Sequence, residues 1–387
     1  MLPLHPFRLF PNPNAGTPGV VVLPDRGFRR AHAEITSWPG YAPTPLLDLS
    51  AIAASAGLGA IQLKDEASRF GLGSFKALGG AYAVAQVLSA ELARRGVAPR
   101  ASSADLVAGT YADATNAITV TCATDGNHGR SVAWGAQRFG CRCVIYVHAT
   151  VSQGRVDAIA HYGAEVRRVP GTYDDAVREA ARVADTEGWF VVSDTSYEGY
   201  TTVPVDVMQG YRVMAEEALG QWQGAPPTHC FMQGGVGGAA AAVSVQLRAT
   251  LNPRPMFIVA EPDRAACLLA SAEAGEPVSI PGNLDTLMAG LACGEPSLLA
   301  WQELSRATDA FMALPDEAAI DCMRLLARQG IVAGESGVAG LAALLLAAAD
   351  PAARAALNLG PDSRVLLFST EGATDPELYK RLIADAT

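Results

Sequence analysis

One lysine lies inside a glycine-rich, apolar turn at residues 70–80, just before a predicted helix at 81–95. Burial of an ammonium group is costly, so a buried lysine tends to lose its proton. The neutral amine can then attack a carbonyl carbon and form a Schiff base. Lys76 is therefore a candidate nucleophile. The alternative is a lysine whose stem packs while its head reaches water.

A glycine loop between a predicted strand and a predicted helix is the second candidate. It consists of Gly234, Gly235, Val236, Gly237 and Gly238. Four glycines let consecutive backbone N–H groups approach an anion, and the start of the helix adds partial positive charge. The loop lacks the Lys-Ser/Thr of a P-loop and the spacing of a dinucleotide fingerprint. The glycines and the following helix nevertheless favour a phosphate site. The alternative is a tight turn that only packs the helix against the strand.

Polar side chains also follow several predicted strands. They are Asp125 and Asn127 after the strand at 117–122, Asp194 after the strand at 189–192, and Ser369 and Thr370 after the strand at 364–368. Ligands of open α/β sheets lie at the carboxyl ends of strands, so these groups could share one site. Taken singly, Asp125 and Asn127 are also ordinary helix caps, and His128 fits a packed or capping histidine better than a base. A capping role is likewise expected for residues 334–337.

These groups together are those that pyridoxal phosphate (PLP) needs. The lysine would bind its aldehyde and the glycine loop its phosphate, while an asparagine and a hydroxyl would meet its ring. The predicted elements place each group after a strand. Strands and helices alternate over residues 117–192, and a second α/β region covers 204–368, which predicts two parallel sheets. Residues 1–60 are expected to be irregular, and 101–115 to form a loop.

This alternation predicts a division into two α/β domains. A large PLP-binding domain would comprise residues 1–79 and 188–387, with a small α/β domain inserted at 80–187. The crevice between the two domains would hold the active site.

The composition narrows the class of protein. The chain has 387 residues, half of them hydrophobic, and a net charge of −10, which argues against nucleic acid as a partner. No apolar run is long enough to span a bilayer, and the N-terminus has no signal-peptide pattern. The seven cysteines are scattered, so no metal site or disulfide framework is predicted, and a cytoplasmic location is expected.

The chain resembles the fold-type II PLP enzymes of the threonine and serine dehydratase and tryptophan synthase β group, and within them most closely the diaminopropionate ammonia-lyases. The resemblance rests on Ser74-Phe75-Lys76, on Asp125-Gly126-Asn127-His128-Gly129 and on the 234–238 loop. Further matching segments lie at 40–46, 64–72, 123–130, 198–200, 208–211, 288–296 and 369–372. They cover nearly the whole chain, and their combination is specific.

The resemblance implies a carbon–nitrogen lyase that converts D- and L-2,3-diaminopropionate to pyruvate and two ammonia. It implies that Lys76 binds PLP as a Schiff base, that Gly234 to Gly238 hold the phosphate, and that Asn127 meets the ring hydroxyl. Thr370, or Ser369 beside it, would meet the pyridine nitrogen. Asp125 would be the base for the D-isomer and Lys76 for the L-isomer. Ser74, Asp125 and Asp194 are expected to contact the substrate. A homodimer is also implied.

Three alternatives remain open from the sequence. A serine or threonine dehydratase would use the same groups, although dehydratases usually carry serine where this chain has Asp125. A nicotinamide-dependent oxidoreductase is suggested by the glycine loop and βαβ units, but the fingerprint spacing is missing. A protein that binds PLP without catalysis is the third.

Overall fold

The computed structural model describes residues 3–282 and 284–384. The chain divides into two compact units. The first unit takes in residues up to 22, 43–73 and those from 214 onward, and the second takes in 23–42 and 74–213. The division at 79/80 and 187/188 that the sequence suggested stays a prediction.

The strands, in chain order, are β1 (Arg8–Pro11), β2 (Leu46–Asp48), β3 (Ala60–Asp65), β4 (Thr119–Ala123), β5 (Arg142–His148), β6 (Glu165–Val169), β7 (Phe190–Val191), β8 (His229–Gln233), β9 (Met256–Pro262), β10 (Ala310–Leu314) and β11 (Arg364–Ser369).

The helices are α1 (Asp25–Thr36), α2 (Ser50–Ala56), α3 (Ala77–Arg94), α4 (Ser103–Val107), α5 (Ala112–Thr115), α6 (Asn127–Phe139), α7 (Gln153–Ala160), α8 (Tyr173–Glu187), α9 (Thr202–Gln221), α10 (Gly238–Thr250), α11 (Cys267–Ala274), α12 (Leu298–Ala307), α13 (Asp316–Ala327), α14 (Ala339–Ala349), α15 (Pro351–Ala356) and α16 (Pro376–Ile383).

The first unit is built on a seven-stranded sheet in the order β1-β10-β9-β8-β11-β3-β2. Its five inner strands run parallel, and the two edge strands, β1 and β2, pair antiparallel. Parallel strands are buried on both faces, so they read as continuous apolar runs, and all five residues of β8 are buried. Helix α14 is apolar all round, and residues 339–347 are all buried in the core.

The second unit contains a four-stranded parallel sheet in the order β6-β5-β4-β7. Its core includes Val144 and Tyr146 of β5, against Ala176 and Ala180 of α8. Helix α8 is capped by Thr172, whose hydroxyl accepts the N–H of Asp175 in a capping box. The prediction of two α/β regions with parallel sheets is therefore confirmed, apart from the two antiparallel edges.

Close packing of glycines positions the helix that follows Lys76. A Cβ on Gly135 of α6 would meet the Ala81 Cα of α3 at 2.8 Å, and one on Gly79 would meet the Val207 carbonyl oxygen at 2.7 Å. Helix α3 can therefore lie against α6 and against residues 202–213 only because these positions lack side chains. This contact sets the start of α3, where Lys76 lies.

Two predictions about irregular segments were wrong. Residues 1–60 contain β1, α1, β2 and α2, and residues 101–115 contain the short helices α4 and α5. The strands β1 and β2 have four and three residues, so each depends on pairing with a partner strand rather than on a pattern of its own.

No helix in the described part of the chain is both long and apolar enough to cross a membrane.

Candidate active site

Lys76 immediately precedes the first turn of α3. Its Nζ donates a hydrogen bond to Asp194 Oδ2 at 2.6 Å, and the two side chains are 20% and 15% exposed. The lysine is therefore less buried than the sequence suggested, and its charge is matched by a carboxylate. The fold thus brings two of the predicted site residues, Lys76 and Asp194, into direct contact.

Two aromatic rings flank the same amine. Nζ of Lys76 lies 5.2 Å from the centre of the Phe75 ring and 5.6 Å from that of Tyr211. The two rings are 4.6 Å apart, and both residues are buried. A cation beside aromatic faces is favoured electrostatically, so the rings and Asp194 together hold the amine in place.

Asp194 lies between the lysine and a histidine. Burial alone would raise the pKa of the Asp194 carboxyl, but the Lys76 ammonium holds it well below its ordinary value. His128 Nδ1 lies 3.7 Å from Asp194 Oδ2, while its Nε2 lies 2.7 Å from the Val192 carbonyl oxygen. Because a carbonyl oxygen only accepts, Nε2 carries the proton. Burial lowers the pKa of His128, and the prediction of a packed histidine is confirmed.

Asp125 has a partner that the sequence did not reveal. His148, the last residue of β5, has Nε2 at 2.7 Å from Asp125 Oδ1, and Thr150 Oγ1 lies 3.0 Å from the other ring nitrogen. The Asp125 side chain is 28% exposed. The structure thus gives the predicted base an imidazole neighbour. His148 is a polar residue at the carboxyl end of a strand, like the other candidates, and that signal in the sequence could have identified it.

The turn before α6 is held by Thr124 rather than by Asp125 or Asn127. Thr124 Oγ1 accepts the N–H groups of Gly126 and Gly129, each at 3.0 Å. A Cβ on Gly129 would collide with the Thr124 side chain, so glycine is needed for this close approach. Asn127 starts the helix, and its Oδ1 accepts from Arg130 Nη2 at 3.0 Å. The alternative that Asp125 or Asn127 caps this helix is not what the structure shows.

The glycine loop joins β8 to α10 and fits a phosphate. Gly235 and Gly237 have φ of +61° and +95°, which side chains disfavour. A Cβ on Gly234 would meet Glu261 Cγ at 2.8 Å. Within the described residues, the backbone N–H groups of Gly235, Val236 and Gly238 have no acceptor. Such N–H groups at the start of a 13-residue helix form an anion site.

The two candidate hydroxyls after β11 have different surroundings. Thr370 is buried, and its Oγ1 lies 2.9 Å from Gln233 Nε2. Ser369 is also buried, and its Oγ lies 3.4 Å from the Glu371 carbonyl oxygen. Gln233, the residue before the glycine loop, was not among the predicted site residues.

The other residues that the sequence singled out are Ser74 and the segment 334–337. Ser74 is buried two residues before Lys76. The expected capping role of residues 334–337 is wrong, because α14 begins after Val338 with no side-chain cap. Ser336 Oγ instead accepts the N–H of Gly290 at 3.0 Å.

Comparison with known proteins agrees with this site. Residues 37–371 match the family model described as "Pyridoxal-phosphate dependent enzyme". The chain is 40% identical over 370 residues to the diaminopropionate ammonia-lyase of Escherichia coli strain K12, covering 92% of this chain and 90% of the relative.

Two crystal structures of the Escherichia coli enzyme are also similar. The holo enzyme with selenomethionine has a TM-score of 0.90 and 36% identity, covering 100% of this chain and 99% of the other. The complex with an aminoacrylate-PLP azomethine reaction intermediate has a TM-score of 0.88 and 35% identity, covering 100% and 98%. With its glycine loop and paired lysine, the chain therefore belongs to the pyridoxal-phosphate-dependent enzymes, in the family of the diaminopropionate ammonia-lyases.

Proposed function

We propose that this chain catalyses the PLP-dependent α,β-elimination of 2,3-diaminopropionate to pyruvate and two molecules of ammonia. The observation that carries the proposal is the 40% identity, over 92% of the chain, to an enzyme named for this reaction. The balance is one diaminopropionate and one water giving one pyruvate and two ammonia.

The residues of the chain fit the cofactor. Lys76 Nζ would hold it covalently, and the N–H groups of the 234–238 loop would bind its phosphate. Asn127 would meet the ring hydroxyl. Thr370 would meet the pyridine nitrogen, and its unshared hydroxyl proton favours it over Ser369 for this role. When bound, PLP supplies an electron sink that makes the Cα proton of an amino acid removable.

Two groups of the chain are suited to take that proton. Lys76 Nζ is proposed as the base for the L-isomer, and an Asp125 carboxylate oxygen as the base for the D-isomer. Bases on opposite faces of a planar group would let one site accept both isomers. His148 Nε2, 2.7 Å from Asp125, would donate to the carboxylate and hold it in one orientation.

Departure of the β-amino group requires that it be protonated. Asp194 is ionised beside Lys76, and its lowered pKa keeps it so. We propose that this carboxylate holds an ammonium, first that of Lys76 and then that of the substrate. Ser74, which is buried nearby in the chain, is proposed to contact the substrate.

The product ratio tests this function against the dehydratase alternative. Wild-type protein reconstituted with PLP is expected to release ammonia and pyruvate in a ratio of two to one from diaminopropionate. Serine would give one to one, and it is expected to be the poorer substrate by kcat/KM. Lys76→Ala, reconstituted in the same way, should release neither product. Faster turnover of serine or threonine than of diaminopropionate would overturn the assignment in favour of a dehydratase.

A homodimer and a cytoplasmic location remain proposals that rest on the family alone. Sedimentation of the holoenzyme over a range of protein concentrations would test the dimer. The proposed substrate is a small amino acid, whether the protein is a monomer or a dimer.

A further inference from the structure

The side-chain amide of Gln233 contacts three oxygen atoms on two other segments of the first unit. Gln233 is the last residue of β8, is 3% exposed, and immediately precedes the 234–238 loop. Its Nε2 lies 3.0 Å from the Gly337 carbonyl oxygen, 2.8 Å from that of Phe368 and 2.9 Å from Thr370 Oγ1. One amide nitrogen therefore connects the ends of β8 and β11 with the segment before α14.

The orientation of this amide follows from its neighbours. Carbonyl oxygens only accept hydrogen bonds, so the group that faces Gly337 and Phe368 must be the NH2. Turning the amide over would place Oε1 against two carbonyl oxygens. In the present orientation Oε1 is buried and has no hydrogen-bond partner among the described residues. The fold leaves one acceptor unpaired in order to keep Nε2 toward its three oxygens.

That orientation decides which way the Thr370 hydroxyl can point. The lone pair of an amide nitrogen is delocalised, so Nε2 cannot accept the proton of Thr370. The two hydrogens of Nε2 are shared among three oxygens, and in the contact at 2.9 Å Thr370 Oγ1 can only be the acceptor. The proton of Thr370 is therefore directed elsewhere. Within the described residues, Thr370 Oγ1 has no other hydrogen-bond partner. The hydroxyl is thus presented as a donor.

We propose that Gln233 is a positioning residue that fixes the Thr370 hydroxyl as a donor to the pyridine nitrogen of the cofactor, so that this nitrogen stays an unprotonated acceptor. The inference rests on the proposed function, in which Thr370 meets that nitrogen. It assigns to Gln233 a role in setting how strongly the ring withdraws electrons. A residue that only packed β8 against β11 would not affect the ring nitrogen.

The ¹⁵N signal of PLP labelled at the ring nitrogen measures this contact without turnover. Loss of a hydrogen bond moves a pyridine ¹⁵N signal downfield, whereas protonation moves it upfield. In the reconstituted protein, Gln233→Met should move the signal downfield, in the same direction as Thr370→Val. Each variant should also raise the Kd for PLP by about five- to tenfold, the factor for one hydrogen bond. Thr370→Ser keeps the hydroxyl and should stay close to wild type.

The double variant separates positioning from packing. In the Thr370→Val background, Gln233→Met is expected to leave the ¹⁵N signal and the Kd for PLP unchanged, because the hydroxyl it orients is gone. If Gln233→Met does not fold, Gln233→Glu keeps the shape and offers an acceptor to Thr370, and the same downfield shift is expected. The matched control is Gln246→Met. Gln246 is another buried glutamine of the first unit, and its Nε2 donates to Glu216.

Three results of these measurements would overturn the proposal for Gln233. Gln233 variants that leave the ¹⁵N signal unchanged, or that move it equally with and without the Thr370 hydroxyl, would overturn the proposal. An unchanged signal in Thr370→Val would remove its premise and overturn it too. Ammonia release from diaminopropionate by the wild-type protein would then still leave the proposed function standing.

Discussion

Asp125 and Asp194 are both carboxylates that follow a strand, yet their surroundings differ. Asp194 is paired with Lys76 at 2.6 Å, so its charge is already matched by an ammonium. Asp125 is paired with an imidazole and is more exposed, at 28% against 15%. The Lys76 ammonium lowers the pKa of the Asp194 carboxyl, so Asp194 is a poor proton acceptor and Asp125 is the better candidate for the second base.

The first prediction concerns Asp125→Asn. If Asp125 is the base for the D-isomer, kcat/KM for D-diaminopropionate should fall by about 10²–10⁴-fold, the range for loss of a general base. The value for the L-isomer should stay within about threefold of wild type, because Lys76 is unchanged. Initial rates of pyruvate release with each isomer measure both. Equal losses for the two isomers would refute the two-base assignment.

A second prediction isolates His148. His148→Gln removes the imidazole that lies 2.7 Å from Asp125, so kcat for the D-isomer should fall by about tenfold, less than for loss of the base itself. The L-isomer should be nearly unaffected. His161→Gln is the matched control, since His161 is an exposed histidine whose ring contacts Tyr162. A similar fall for both isomers would show that His148 only supports the fold.

At the scale of elements, helix α3 begins directly after Lys76 and is held by contacts that only small residues permit. Its neighbours α6 and residues 202–213 approach it at Gly135 and Gly210. Most of its residues are buried, so it has no wide polar face to tolerate a shift. A displacement of α3 would therefore move the amine away from Asp194.

The third prediction tests this packing with two glycines in helices. Gly135→Ala should destabilise the protein by about 1–3 kcal/mol, because its Cβ would lie 2.8 Å from the Ala81 Cα. Gly154→Ala in α7 has nothing within 4 Å and should stabilise it by up to about 1 kcal/mol. Urea unfolding of the two variants measures both free energies. A Gly135→Ala variant as stable as wild type would show that α3 and α6 can separate without cost.

At the scale of the whole molecule, buried ionisable groups link stability to pH. In the first unit, Lys64, Arg69, Glu66 and Glu217 form a fully paired buried cluster with contacts of 2.7–2.8 Å. Glu261 is different, since it is buried and accepts the backbone N–H groups of Leu268 and Leu269. Burial raises the pKa of Glu261 from 4.5 to about 8.

The fourth prediction follows from the sign of that shift. Below pH 4.5 both folded and unfolded chains hold the Glu261 proton, and between that value and about 8 only the folded chain does. The raised pKa of Glu261 therefore adds to the free energy of unfolding in full at low pH, and this stabilisation is lost as the pH rises through that range. Glu261→Gln cannot ionise, so its stability should fall less than that of wild type between pH 5 and 8. Urea unfolding at several pH values measures this, with the exposed Glu377→Gln as control. Parallel pH profiles for wild type and Glu261→Gln would contradict the prediction.

Local patterns were sufficient for the strands, helices and loops that hold the candidate groups. The sequence predicts a strand at 229–232 and a helix at 239–250 on either side of the glycine loop, and both agree with β8 and α10 within one residue. Apolar runs and glycines signal both elements directly. The short strands β1 and β2 and the helices α4 and α5 were missed. Such elements are too short to carry a periodic pattern, and they form through contacts with the rest of the unit.

The amino-acid sequence by itself determined the chemical groups of this protein: a lysine in a glycine turn, a glycine loop between a strand and a helix, and polar residues at the ends of strands. Only the tertiary structure decided which group each one meets. Lys76 and Asp194 are 118 residues apart, and Gln233 and Thr370 are 137 apart. Residue types and spacing report on neighbours within a few positions, whereas hydrogen bonds across such separations exist only once the helices and strands have packed together.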